Sequence, residues 1–261
     1  MSQPMTEQAS ASAAPVERRP PMLEVRDVGK RFGEIVALKG VSFDVADGEV
    51  LGVAGPNGSG KSTLFNVITG LYPGTGRVVF QGEDISRRGP NRVCRRGIAR
   101  TFQLPQTFAT MTVEDNVRVG AHFGGRAGRR EREVISEALE LTGLIAKRLV
   151  LAKHLDLLDK KLTMLAAALS TQPKMLLLDE PMGGLSPSEI SRLGSLLIKL
   201  NRQRGLSLIV IEHKVRKLVE LSDRMMILYN GERVSIGPPH VVVNEQRVID
   251  LYLGKAIGAE S

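Results

Sequence analysis

The sequence predicts an α/β fold in which a parallel sheet carries an antiparallel β subdomain and an inserted α-helical subdomain. The apolar run EVLGVA leads into a glycine-rich turn at Gly55–Thr63, and the helix-like run LFNVITG follows directly. This is the strand-turn-helix order of α/β proteins. Near the N-terminus, LEVRDV and VSFDV alternate apolar and polar residues, as half-buried antiparallel strands do. KMLLLD and LSLIVI are almost continuously apolar, which is typical of strands buried on both faces of a parallel sheet.

Composition changes mark the expected boundaries. Residues 1–21 are rich in Ala, Ser, Gln and Pro without periodicity, so we expect a disordered leader there. A single domain is expected over residues 22–254, followed by a tail at 255–261. The helical subdomain is expected at about 104–170, where apolar residues recur at helical spacing.

The first half of the chain also contains shorter elements. RFGEIVAL is a strand candidate between the two alternating runs, and RVVF is another at residues 77–80. Phe32 falls in the turn region, either as a strand-end core aromatic or as a ring available for stacking on a ligand. Thr112 followed by Asp115 predicts a capped helix start. Gly120–Arg130 is predicted to be a basic loop between helices.

The second half continues the alternation of strands and helices. Ser186 to Glu189 forms a capping box with proline at the first helical position, which predicts a helix to about Asn201. After LSLIVI we expect a helix through Leu218, the strands RMMILY and RVSI, and a terminal helix ending near Leu253.

Composition limits the classes of function. The chain has 261 residues, 42% of them hydrophobic and 25% charged, as in ordinary globular domains. Its single cysteine, Cys94, excludes an intrachain disulfide. No apolar run approaches the roughly 18 residues that cross a bilayer, and the first twenty residues lack a secretory apolar stretch. We therefore expect a cytoplasmic location.

The net charge of +8 is compatible with nucleic acid, an anionic membrane face or a nucleotide ligand. Aromatic residues make up only 4% and do not interleave with the arginines, so no nucleic-acid partner is expected. Part of the positive charge comes from a cluster of arginines, most of which we interpret as solvated surface residues. They are Arg87, Arg88, Arg92, Arg95, Arg96 and Arg100.

The turn GPNGSGKST matches the phosphate-binding pattern G-x-x-x-x-G-K-[ST]. Its backbone N–H groups turn inward on a phosphate chain, Lys61 reaches the terminal phosphates, and Ser62 ligates magnesium. A flexible Gly/Ser turn would explain neither the Lys-Ser pair nor the strand-to-helix context. The predicted nucleotide-binding residues are Gly55, Pro56, Asn57, Gly58, Ser59, Gly60, Lys61, Ser62 and Thr63, together with Phe32 in the interpretation in which its ring stacks on the base.

Other candidates lie where strands end, the edge at which α/β sheets bind ligands. Asp179 can hold magnesium, and Glu180 can polarise an attacking water. Gln103 can orient that water or complete the magnesium shell, with Gln106 as a lower-ranked substitute. His213 can donate to the γ-phosphate.

The set GPNGSGKST, Gln103, LLLDEP and IEH resembles the ATP-binding subunit of an ABC transporter, over about Leu23 to Leu253. GIARTFQ and RVIDLYLG narrow the resemblance to ATPases of branched-chain amino-acid importers. The resemblance implies a P-loop NTPase (ABC ATPase) core that uses ATP and Mg²⁺ in a head-to-tail dimer.

The same resemblance implies membrane permease subunits, an indirectly coupled solute-binding protein, and a peripheral place on the cytoplasmic face of the membrane. By analogy, we expect permease contact among the helical residues after Met111 and around Gly120–Arg130.

One segment departs from the family pattern. Where the family has the signature LSGGQ, this chain has Leu155 to Asp159, read LDLLD. A carboxylate such as that of Asp156, ~4 Å from a partner's phosphate oxygen, would repel it by about 4 kcal/mol at a surface-like dielectric. The hypothesis is a heterodimer with one competent and one impaired site, unless Lys160 or Lys161 reaches the phosphate.

Two alternatives remain open at this level. One is an ABC-type ATPase in a non-transport complex, although such proteins usually carry two cassettes in one chain. The other is a regulatory cassette with little turnover, suggested by LDLLD.

Overall fold

The computed structural model describes residues 21–124 and 130–253. Its strands are β1 (Pro21–Phe32), β2 (Ile35–Ala46), β3 (Val50–Ala54), β4 (Thr75–Phe80), β5 (Glu83–Asp84), β6 (Ile98–Thr101), β7 (Met175–Asp179), β8 (Ser207–Ile211), β9 (Arg224–Tyr229) and β10 (Glu232–Gly237). Its helices are α1 (Lys61–Ile68), α2 (Pro90–Arg96), α3 (Val113–Phe123), α4 (Glu131–Thr142), α5 (Leu157–Ser170), α6 (Pro187–Arg204), α7 (Val215–Leu221), α8 (Pro239–Val242) and α9 (Gln246–Tyr252).

The smaller sheet has the order β2-β1-β4-β5, and its pairs are antiparallel. This confirms the antiparallel subdomain, but the separate strand predicted at RFGEIVAL is wrong. Those residues span a hairpin turn in which Phe32 pairs with Ile35 across Gly33 and Glu34. Gly33 has a φ of 55°, a left-handed conformation that reverses the chain at little cost in glycine.

The larger sheet has the order β10-β9-β3-β8-β7-β6, with β9, β3, β8, β7 and β6 running parallel. The central strands β3, β7 and β8 are buried along their whole length, as the continuous apolar runs predicted. Asp179 pairs with Ile211 at the end of the ladder. The carboxyl ends of β7 and β8 therefore present Asp179 and Glu180 beside Glu212 and His213.

The strand β6 and the helix α2 are among the elements that have no counterpart in the sequence predictions. The strand β6 is a four-residue edge strand, IART, that pairs only with β7 among the described strands. It is too short to show a period. The helix α2 begins with Pro90 and is capped by Gly97, whose φ is 112°. Three of its residues are arginines and only Val93 is a buried apolar residue, so the helix shows no apolar pattern in the sequence.

The helical subdomain contains α3, α4 and α5, which pack on one another. The predicted cap is confirmed, since the Thr112 side chain accepts from the Asp115 N–H. The loop predicted from Gly120 is wrong for its first residues, because α3 continues to Phe123. A Cβ on Gly120 would lie 2.1 Å from the Ala167 carbonyl oxygen, so this glycine serves close packing against α5. Residues 125–129 of the predicted loop lie outside the described part.

The capping box at Ser186 is confirmed, and α6 runs past the predicted end near Asn201 to Arg204. The first described residue, Pro21, lies in β1, so that strand includes the last residue of the predicted leader. Residues 1–20 of the leader and the tail at 255–261 lie outside the described residues. Across residues 21–124 and 130–253, no helix combines the length and apolar character needed to cross a membrane.

Candidate functional site

The loop between β3 and α1 follows a path that only glycine permits at two points. Gly55 has a φ of 151°, and a Cβ there would lie 2.1 Å from the Leu228 carbonyl oxygen. Gly60 has a φ of 102°, and its Cβ would lie 2.6 Å from the Ala37 carbonyl oxygen. The loop is therefore wedged between β9 and β2, and α1 begins directly at Lys61.

The Lys61 ammonium lies inside this loop. It donates to the carbonyl oxygens of Gly55 and Pro56, each at 2.9 Å, and only 6% of the residue is exposed. Burial lowers the pKa of Lys61, while the nearby carboxylates of Glu180 and Asp179 raise it. The geometry places a cation within the loop and next to the acidic strand end.

Ser62 and Asp179 supply oxygen atoms that suit magnesium. The Ser62 Oγ donates to the Asp179 Oδ1 at 3.4 Å, and hydroxyl and carboxylate oxygens are hard ligands. Within residues 21–124 and 130–253, no group of three or more His, Cys, Asp or Glu could hold a metal by itself. A magnesium ion here would take its remaining ligands from phosphate and water, as is usual for this ion.

Arg100 is a site residue that the sequence analysis missed. Its Nη2 donates to the Asp179 Oδ2 at 2.8 Å, and both side chains are buried. The guanidinium also bonds Asn66 and lies over the rings of Phe65 and Phe102. Burial lowers the pKa of Arg100, and Asp179 opposes that shift. No sequence signal separates it from the surface arginines, because β6 is too short to show a strand period and only the fold buries Arg100 against Asp179.

Glu180 is held at both carboxylate oxygens. The Gln103 Nε2 donates to Oε2 at 2.7 Å, and the His213 Nε2 lies 2.6 Å from Oε1. The structure thus brings together three residues that are far apart in sequence. Gln106 instead donates to the Leu104 carbonyl oxygen at 3.4 Å, so Gln103 is the glutamine that contacts Glu180.

Phe32 is 42% exposed, so its alternative interpretation as a core aromatic is wrong. Its ring packs edge-on against Tyr72, with the centroids 5.4 Å apart. The Lys30 Nζ lies 4.9 Å from the Phe32 centroid. The second ring was not predicted, because a lone Tyr in the loop after α1 shows no pattern.

The LDLLD segment folds as a helix start that is satisfied within its own chain. The Asp156 side chain accepts from the Asp159 N–H at 2.7 Å and caps α5. The Asp159 carboxylate is buried against Lys147, and Leu158 packs in the core. Lys161 is also buried and donates to the Glu180 carbonyl oxygen. This contact holds the Lys161 ammonium against the Glu180 turn of its own chain.

The loop geometry makes a prediction about stability. Gly55→Ala places a methyl group against a backbone oxygen that cannot move aside, so we expect it to lower the free energy of unfolding by at least about 2 kcal/mol. Gly58→Ala is the matched control, because Gly58 also has a positive φ but has no atom within 4 Å of its Cβ position. Equal denaturant midpoints for the two variants would contradict the close approach at Gly55.

Comparison with known proteins places this geometry in a family. Residues 38–183 match the model described as ABC transporter. The high-affinity branched-chain amino acid transport ATP-binding protein BraF of Pseudomonas aeruginosa is 33% identical over 252 residues, covering 90% of this chain and 99% of that protein.

Solved structures agree in fold. The ADP conformation of an ATP-binding cassette of an ABC transporter matches with a TM-score of 0.81 and 32% identity, over 90% of this chain and 100% of that one. A dimeric post-hydrolysis cassette bound to ADP and Pi matches with a TM-score of 0.75 and 26% identity, over 84% and 99%. The expected fold class is confirmed, and the chain belongs to the ABC transporter family as one of its ATP-binding proteins.

Proposed function

We propose that this chain binds and hydrolyses ATP to power a membrane importer for branched-chain amino acids or related small amides. The transport activity in the name of BraF supports the substrate class. The proposed location is the cytoplasmic face of the cell membrane, where the chain would be held by permease subunits. A solute-binding protein would act on the same permease from the other side.

The proposal of hydrolysis rests on the position of the Glu180 carboxylate. It lies beside Asp179 and contacts both Gln103 and His213. In this arrangement Glu180 polarises the attacking water, and Gln103 orients it. His213 donates to the γ-phosphate. Bound magnesium would neutralise phosphate charge, with Ser62, Asp179 and the Gln103 amide oxygen as its protein ligands.

The remaining loop residues bind the nucleotide. The Lys61 ammonium donates hydrogen bonds to the terminal phosphates. The N–H groups of the loop and of the first turn of α1 bind the rest of the phosphate chain. The exposed ring of Phe32, backed by Tyr72, offers a face on which the adenine base stacks.

The proposed assembly is a head-to-tail dimer with a different ATPase subunit. The start of α5 supports this, because Asp156 already occupies the Asp159 N–H and Leu158 is buried. At the N-terminus of α5, a partner's γ-phosphate would meet the Asp156 carboxylate instead of a serine hydroxyl and glycine N–H groups. The partner's signature would then complete this chain's own Lys61 site.

A cavity of about 370 Å³ is the proposed docking groove for the permease. It lies between the β6 region and the helices α3 and α5, and its lining is mostly apolar. Val119 and Gly120 line it, as do the exposed rings of Phe102 and Phe108. Val119 and Gly120 fall in the segment where permease contact was expected, whereas Phe102 and Phe108 precede it. An apolar groove suits a short amphipathic segment.

Purification of the tagged chain from detergent-solubilised membranes tests the proposal. We expect a hydrophobic permease subunit and a second ATPase subunit to co-purify. Recovery of ribosomes or nucleic acid without a membrane subunit would overturn transport. Phosphate release from the reconstituted complex tests the alternative of a regulatory cassette, which requires little turnover.

Val119→Asp should abolish permease co-purification. A carboxylate in the apolar groove would lose its water on docking without gaining a cation, at a cost of about 3 kcal/mol. Leu149→Asp adds the same charge at an exposed leucine outside the groove. We expect ATP affinity to be unchanged in both variants. Equal co-purification of the two would contradict the proposed groove.

A further inference from the structure

A buried lysine contacts the backbone of Glu180. Lys161, in the second turn of α5, is only 5% exposed, and its Nζ donates to the Glu180 carbonyl oxygen at 3.2 Å. Burial lowers the pKa of Lys161, while the nearby Glu212 and then Glu180 raise it. Glu212 is itself buried, and burial raises the pKa of its carboxyl.

The backbone that carries Glu180 is strained and is held at several points. Glu180 has a φ of 48°, an uncommon conformation for a residue with a side chain. Its N–H donates to the Ile211 carbonyl at 3.0 Å, and its carbonyl accepts from the Gly183 N–H at 3.2 Å. The Met182 N–H donates to the Glu212 Oε1 at 2.6 Å.

We propose that Lys161 is a positioning residue for ATP hydrolysis, whose ammonium holds the Glu180 carbonyl so that the carboxylate stays between Gln103 and His213. Glu212 fixes the same turn through the Met182 N–H. The inference rests on the proposed role of Glu180 in hydrolysis.

The position of Lys161 on α5 gives this contact a second consequence. The N-cap of the same helix is Asp156, on the side where a partner's nucleotide would lie in a head-to-tail dimer. Lys161 thus ties the helical subdomain to the turn that carries Glu180 in the same chain.

A purely structural role makes a different prediction, because Lys161 and Glu212 are neighbouring buried charges of opposite sign. If Lys161 only neutralises Glu212, then removing both charges together should restore activity. If Lys161 holds the Glu180 carbonyl, the neutral pair should stay impaired, since a methionine side chain cannot donate to that carbonyl.

The experiment compares Lys161→Met, the double variant Lys161→Met/Glu212→Gln, and Glu180→Gln in the reconstituted complex. Lys199→Met, at an exposed lysine of α6, controls for loss of a charge. We expect Lys161→Met and the double variant to lower kcat at least tenfold, with KM for ATP and nucleotide affinity within twofold. Hydrogen exchange of the 180–185 backbone, measured without nucleotide, should become faster in both.

Recovery of kcat in the double variant would overturn the positioning role, as would unchanged exchange at 180–185. If Lys161→Met does not fold, the kcat of the double variant alone tests the inference. Normal turnover by the double variant would then overturn it. If Glu180→Gln still hydrolyses ATP, the proposed function of Glu180 fails instead. The two failures are therefore distinguishable.

Discussion

Replacing Glu180 by Gln is expected to abolish most ATP turnover of the assembled complex while ATP still binds. The amide keeps the size of the side chain, and its oxygen can still contact Gln103 or His213. It cannot take a proton from the attacking water, and a general base typically contributes a factor of 10² to 10⁴. We therefore expect phosphate release to fall at least about a hundredfold, a loss of ~3 kcal/mol in transition-state stabilisation.

The control is Glu220→Gln, at an exposed glutamate of α7. It should hydrolyse ATP at the rate of the unmodified complex. Nucleotide affinity, measured with a fluorescent ATP analogue, should agree within twofold between the two variants. Phosphate release by Glu180→Gln within twofold of the unmodified complex would remove Glu180 from the mechanism.

The second large effect is expected at Lys61. Lys61→Met removes the cation that lies inside the loop and leaves the terminal phosphates without a charged donor. Charge-assisted hydrogen bonds to phosphate are among the strongest in proteins, so we expect a loss of about 3 kcal/mol, or about a hundredfold in ATP affinity. Equilibrium titration with the fluorescent analogue measures this directly.

The Lys61 variant also separates binding from folding. Lys61 donates to the Gly55 and Pro56 carbonyls, so a modest drop in melting temperature is expected. Lys153→Met, at an exposed lysine, should change neither quantity. ATP affinity within threefold of the unmodified chain would contradict the proposed phosphate contact.

Motifs that act over a few residues were predictable from the sequence. The loop at Gly55–Thr63, the cap at Thr112 and the capping box at Ser186 each depend on neighbouring backbone groups, and the structure contains all three. The apolar strands β7 and β8 were also predictable, because burial on both faces requires apolar residues throughout. Their parallel order then explains why Glu180 and His213 meet.

Features that depend on tertiary packing were not predictable in the same way. RFGEIVAL has the composition of a strand, yet Gly33 turns it into a hairpin. Arg100 and Lys161 look like ordinary surface cations in the sequence, and only the fold buries them against Asp179 and the Glu180 carbonyl. A buried cation needs a partner, and that partner is 79 residues away for Arg100.

The central claim is that this chain's own loop and Glu180 form the competent ATP site, while its LDLLD segment serves the partner's site poorly. Phosphate release from the reconstituted complex tests it, with Glu180→Gln compared against the restored signature Asp156→Ser/Leu157→Gly/Leu158→Gly. We predict that Glu180→Gln abolishes most turnover and that the restored signature changes it much less. The reverse ranking would contradict the claim.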